Sequence, residues 1–139
     1  TTEERPAIPL PRPSPISQPY WDACRRGELT VQRCAACGHY VFIPQPACTR
    51  CLSSALEWVR SSGRGRVYSY TVVWRPQQPA FEVPYTVAIV EMDEGWKTLT
   101  NIVDCPVDDV RVGMDVEVKF VPMSEEITLP MFRPAGRRQ

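Results

Sequence analysis

Hydrophobic and polar positions change rhythm three times along this chain. Residues 1–15 alternate proline with small, charged and apolar side chains. That pattern favours polyproline-like extension and buries no core. From Ser17 the spacing becomes helical, with Tyr20, Trp21 and Cys24 at i, i+1 and i+4 on one face. Ser17 is placed to cap this helix, Pro19 suits an early helical position, and Gly27 suits the stop. A helix this short is marginal alone, so it must pack on its own domain or on a partner. Strand rhythm follows at 29–33, 39–43 and 56–60, with Pro44, Pro46 and Ala47 turning the chain between the second and third.

A turn-rich joint, Ser61-Ser62-Gly63-Arg64-Gly65-Arg66, separates these strands from a second β-rich stretch. Residues 67–74, 85–92, 96–103, 116–121 and 127–132 read as strands. Asp93-Glu94-Gly95 is a hairpin turn with a glycine available for positive φ. Residues 77–84 form a polar, proline-bearing loop, and 110–114 a turn. Five strands without intervening helices predict a small Greek-key barrel of the OB type. The expected organisation is a proline-rich linker or arm at 1–15, a helix at 16–28, a ribbon at 29–60, an OB-fold domain at 61–133 and a tail at 134–139.

The ribbon carries the strongest chemical signal. Cys34-Ala35-Ala36-Cys37 and Cys48-Thr49-Arg50-Cys51 form two C-x2-C pairs ten residues apart. A two-residue gap lets both thiolates of a pair point at one metal, and two such knuckles close a tetrahedral zinc shell. Four thiolates also suit iron. A closed shell has no place for water or substrate, so this motif argues for structure rather than catalysis. Three disulfides are the competing use of six cysteines; the paired spacing and the lack of an apolar leader near the start favour metal. Cys24 and Cys105 lie outside the knuckles and read as reduced, half-buried side chains. The fold class is therefore mainly β: a short N-terminal helix, a four-cysteine zinc ribbon of the rubredoxin type, and a five-stranded barrel. A segment as small as this ribbon buries too little apolar surface to fold unaided, and Zn2+ supplies the missing stability.

Composition narrows function mainly by exclusion. Formal net charge is zero, but residues 1–75 hold ten Arg against five Asp or Glu, and residues 76–139 hold six Arg or Lys against eleven. Zinc ribbons and OB barrels both bind single-stranded nucleic acid, and Tyr68, Tyr70, Trp74, Tyr85 and Trp96 are candidate stacking residues. Affinity of that kind rests on phosphate neutralisation, which an uncharged chain with an acidic barrel supplies poorly. This remains the alternative to a partner module. No stretch is apolar enough to span a membrane. The single histidine, His39, starts a ribbon strand beside the knuckles and reads as a surface or outer-layer residue. The carboxylate neighbours Asp108-Asp109 and Glu125-Glu126 read as solvated. No catalytic residue is assigned. Reduced thiols and the lack of an apolar leader fit a cytoplasmic protein.

The joint order of several weak motifs carries a resemblance over residues 16–133. It runs through Tyr20-Trp21, Gly27-Glu28-Leu29, Arg33-Cys34 to Cys37-Gly38, Pro44, Cys48 to Cys51, Gly63-Arg64-Gly65 with Ser69-Tyr70-Thr71, Pro84-Tyr85, and Val112-Gly113-Met114 before Val116-Glu117-Val118. In this the chain resembles the acyl-CoA-associated OB-fold family with a rubredoxin-like zinc ribbon. The resemblance implies a non-catalytic accessory subunit or domain in a hetero-oligomer with a thiolase-superfamily enzyme: a lipid-transfer-type thiolase, retro-aldolase or acyltransferase. It also implies work on acyl-CoA, including steroid and other lipid side chains, and in some members fusion to an enoyl-CoA hydratase. The proline-rich start without methionine would suit a piece cut from such a fusion. On this reading Tyr20 and Trp21 are the aromatic anchors for a partner, and Arg64 and Arg66 are the candidates for CoA phosphates, the bland alternative for Gly63-Arg64-Gly65 being a hinge.

Overall fold

A computed structural model describes residues 11–75, 83–125 and 127–135. Residues 1–10, most of the expected loop at 77–84, Glu126 and most of the expected tail lie outside the described residues. The helix α1 (Gln18–Arg25) is followed by β1 (Thr30–Cys34), β2 (Tyr40–Val41) and β3 (Leu56–Arg60). The barrel strands are β4 (Arg64–Val73), β5 (Tyr85–Met92), β6 (Lys97–Ile102), β7 (Asp115–Pro122) and β8 (Thr128–Pro134), with a 3-10 turn at Val107–Asp109. The ribbon strands pair antiparallel in the order β2-β1-β3. The other five close into a barrel in the order β4-β5-β6-β8-β7, the Greek-key order of an OB fold.

The expected helix and strands are all present among the described residues, with informative shifts. Ser17 precedes the helix, but its hydroxyl makes no cap bond into it. It accepts the N–H of Ser14 at 2.8 Å instead. The expected strand at 39–43 shrinks to Tyr40–Val41 because Phe42 and Ile43 leave the sheet and turn toward the barrel. β4 starts three residues early, at Arg64. The second half of the stretch read as a joint is therefore strand, and the change of direction falls on Ser61, Ser62 and Gly63.

One continuous core joins all three parts. Tyr20 and Cys24 from α1, Leu29 and Val31 from the ribbon, and Val67, Ala88, Val90, Met92, Trp96 and Phe132 from the barrel belong to one buried cluster. Two ring contacts cross from part to part. Tyr20 meets Phe42 at 5.6 Å between centroids, and Phe42 meets Trp96 at 5.1 Å. Of the two homes expected for α1, it packs on its own chain.

The joint is locked by the β5–β6 turn. The Glu94 carboxylate accepts the hydroxyl of Ser61, the Ser62 N–H at 2.9 Å and the Ser62 hydroxyl at 3.1 Å. The N–H of Asp93 donates to the Arg64 carbonyl at 2.9 Å. Ser61 is 4% exposed, so its hydroxyl loses water and needs this acceptor. Replacing Glu94 by Ala should cost about 2 kcal/mol, the range for hydrogen bonds to a charged group. A urea melt checks the cost, and faster amide exchange at Ser61 and Ser62 should locate it.

Candidate metal centre and apolar groove

Each knuckle is built by the same local bonds. The N–H of Gly38 donates to the Cys34 carbonyl at 2.8 Å, and that of Leu52 to the Cys48 carbonyl at 3.0 Å. These turns bring four thiols together although β1 and the second knuckle are far apart in sequence. All four Sγ atoms lie within 4.8 Å of one another. Cys34 Sγ stands 3.6 Å from Cys51 Sγ, and Cys37 Sγ 3.6 Å from Cys48 Sγ. A zinc with sulfur bonds of about 2.3 Å needs ligand edges of about 3.8 Å, so the cluster fits a tetrahedral ion. Cys34 and Cys48 are buried, whereas Cys37 and Cys51 face solvent.

The surroundings favour thiolate at the buried member of each pair. Backbone N–H bonds from Cys37 and then Ala36 act against burial and draw Cys34 below its ordinary pKa. At Cys48 the N–H groups of Cys51 and then Arg50 outweigh burial and pull the thiol down to about 6. The Arg50 N–H lies 3.3 Å from Cys48 Sγ. His39 serves through its backbone: its carbonyl accepts the Cys34 N–H at 2.9 Å. Cys24 differs in kind, because burial pushes its thiol up to about 12 despite a hydrogen bond with Tyr20. Cys105 is half-buried, as expected, and burial and then Asp109 raise its pKa. Asp108 and Asp109 are exposed in the 3-10 turn.

The aromatic pair expected at a partner interface is divided. Tyr20 is 6% exposed and packs edge-on to Trp21 at 5.0 Å. It faces its own core, and burial raises its pKa. Trp21 is half-buried and lines a groove of about 490 Å³ between α1, the turn after β2, and the β6 and β8 strands. Ile43, Leu99 and Met131 form its apolar wall, and Arg12 supplies a cation. Ile43 and Leu99 are about 70% exposed. The same two side chains continue into a second hollow with Phe42 and Ile89. Clustered exposed apolar side chains make this groove the candidate docking surface of the described residues.

Arg64 and Arg66, the two arginines expected to meet CoA, lie outside this groove. Arg64 stands 3.8 Å from Glu117, which also holds Arg133 at 3.1 Å. Arg66 sits across the ladder from Glu91 and Asp115 and borders a shallow hollow with Tyr68 and Val112. Acidic neighbours offset both charges, and neither side chain lines the groove. Sequence reasoning missed Ile43, Leu99 and Arg12. Leu99 had a readable signal, because an apolar residue between Thr98 and Thr100 breaks the inward alternation of β6.

Comparison with known proteins gives the following. The family described as the ChsH2 rubredoxin-like zinc ribbon domain matches residues 21–57, and the ChsH2 C-terminal OB-fold domain matches residues 58–121. The chain is 41% identical over 136 residues to a probable enoyl-CoA hydratase alpha subunit of Thermomonospora curvata, covering 96% of this chain and 43% of that protein. It thus spans less than half the length of that relative. It is 38% identical to a DUF35 domain-containing scaffold protein of Methanothermobacter thermautotrophicus, covering 73% of this chain and 78% of the relative. It is 33% identical to the benzoylsuccinyl-CoA thiolase subunit BbsA of Geobacter metallireducens, covering 68% and 63%. Among solved structures, a chain of an Ltp2-ChsH2(DUF35) aldolase superposes with a TM-score of 0.82 at 39% identity, covering 90% of this chain and 98% of that one.

Proposed function

The chain belongs to the ChsH2 family of rubredoxin-like zinc ribbons joined to OB-fold domains, and from that premise we propose that it is a non-catalytic accessory subunit or domain of an acyl-CoA-processing complex. Its partner is a thiolase-superfamily enzyme working as an aldolase, thiolase or acyltransferase. The observation that carries this reading is the open apolar surface around Trp21, Ile43 and Leu99, braced by the ribbon on one side and the barrel on the other. Relatives named as a scaffold protein, a thiolase subunit and part of an aldolase support the partner class. The match to part of a hydratase alpha subunit supports a hydratase, fused or associated, as a second neighbour.

Zinc, when bound by Cys34, Cys37, Cys48 and Cys51, supplies a fixed cross-link and no reactive position. The ribbon then holds Phe42 and Ile43 against the barrel. If an acyl-CoA touches this chain, Arg12 is better placed than Arg64 or Arg66 to meet it, because it is the groove's own cation. No described helix is long and apolar enough to cross a membrane, and the working compartment proposed is the cytoplasm.

The test is binding of the purified chain to the thiolase-superfamily enzymes of its own host, by calorimetry and size-exclusion chromatography. Leu99→Asp and Trp21→Ala should each weaken the complex about thirtyfold, the effect of losing about 2 kcal/mol at an interface anchor. Zinc content should stay intact. If no such enzyme binds the wild-type chain, the reading fails. If wild type binds and both variants bind equally well, the docking surface is another one.

A further inference from the structure

The barrel closes between β6 and β8 through a single residue pair, Ile102 opposite Phe132. On its other side β6 is fully paired, with Thr98 opposite Val90 and Thr100 opposite Ala88 of β5. The Met92 N–H donates to the Trp96 carbonyl at 2.7 Å and sets the phase of that ladder. Even-numbered residues of β6 exchange backbone bonds with β5, so Lys97, Leu99 and Asn101 turn their N–H and C=O groups to the opposite edge. Val103, next in that phase, donates to the Phe132 carbonyl at 2.8 Å. For Lys97 to Asn101 the register gives no strand partner on this edge among the described residues.

β8 cannot close the gap from its own side. Pro130 has no N–H to give, and its carbonyl already accepts the Thr100 hydroxyl at 3.1 Å. Both this stretch of β8 and the unpaired edge of β6 line the apolar groove. Edge strands are commonly blunted by charge. Here the Lys97 ammonium is drawn to 4.5 Å from the Tyr68 ring centroid, and Leu99 at the middle of the edge is apolar and exposed. Resting on the accessory role proposed above, we propose that this edge takes up an extended segment of the partner enzyme as an added strand. Lys97 to Asn101 offers about 17 Å of edge, enough for about five residues. Main-chain bonds to the free edge supply affinity, and alternate side chains supply specificity. Those falling beside Leu99 and Ile43 are apolar, because both residues stand open to solvent. The groove wall holds Arg12 and no carboxylate, and none of the ion pairs among the described residues uses Arg12. The segment therefore also brings an acidic residue.

The experiment is residue-resolved amide exchange on the full chain, free and saturated with the thiolase-superfamily enzyme of its host. In the free chain the amides of Lys97, Leu99 and Asn101 should exchange at least about tenfold faster than those of Thr98 and Thr100. In the complex they should slow by at least about tenfold and lose that alternation. A complex in which the three amides stay fast would overturn the added strand and leave the accessory role standing. Absence of any complex would overturn both. Slow exchange at all three in the free chain would show an edge already filled, by a second copy if dilution speeds it and by this chain's own upstream residues if it does not. Either result would overturn the proposal. Leu99→Pro and Leu99→Val separate a bond from mere covering, because both keep an apolar side chain and only proline removes the N–H. Leu99→Pro should weaken the complex about tenfold more than Leu99→Val, the effect of one backbone bond left unmade. Equal affinities would overturn the proposal. Should Leu99→Pro lose protection at Thr98 and Thr100, its β5–β6 ladder is broken, and exchange in the wild-type complex decides.

Discussion

Removing the metal should unfold the ribbon and leave the barrel paired. The ribbon's own satellite core is three buried residues, Cys34, Val41 and Cys48, with Leu56 packed beside them. Two of those three are themselves candidate metal ligands, and β2 has only two residues. Little remains to hold the second knuckle once the thiolates repel one another. Structural zinc in comparable small sites binds with about 10–16 kcal/mol of apparent free energy, most of which appears as folding. A strong chelator should therefore abolish amide protection across residues 30–41, while residues 85–92 in the barrel keep theirs. Cys48→Ser should do the same without chelator, because it removes one ligand and part of the satellite core. Ribbon protection that survives metal removal would show that the contacts of Leu29 and Val31 with the main core suffice alone.

The second large effect is expected at Gly65. This residue lies where β4 is paired on both sides, opposite Met92 of β5 and Val116 of β7. A Cβ here would collide with the Glu91 carbonyl oxygen and stand 2.9 Å from Val90 Cγ1. Backbone of a closed barrel cannot yield without opening its ladder. Gly65→Ala should therefore cost about 3 kcal/mol, at the upper end of ordinary overpacking. Gly95 is the control: it has a φ of +103° in the β5–β6 turn, and a Cβ there meets nothing within 4 Å. Gly95→Ala carries only the conformational penalty, about 1 kcal/mol. Equal costs in a urea melt would show that close approach at the barrel seam does not matter.

Much of the architecture was legible because its causes are local. Alternation at 56–60 and 85–92 returns the same bounds in the structure. The Asp93-Glu94-Gly95 turn was readable from one glycine. What local reading could not supply is what the turn does. Glu94 reaches back more than thirty residues to clamp Ser61 and Ser62, and no periodicity encodes that. Gly63-Arg64-Gly65 was misread for the same reason. Two glycines near serines look like a joint, yet Gly65 is there because the neighbouring strand β5 brings the Glu91 carbonyl and the Val90 side chain against it.

The candidate site divides along the same line. The cysteine spacing alone determined the metal centre, because a C-x2-C turn is a local shape and two of them leave few ways to satisfy four thiols. The helix, the ribbon and the five-strand rhythm were likewise written in nearest-neighbour chemistry. Only the tertiary structure decided which face each side chain takes. Register turns Thr98 and Thr100 away from solvent and leaves Leu99 exposed, sends Tyr20 inward while Trp21 borders the groove, and surrounds Arg64 and Arg66 with acids. The groove exists because α1, the turn after β2, β6 and β8 meet there. Those segments are distant in sequence, and their meeting is set by one shared core rather than by any pattern within them.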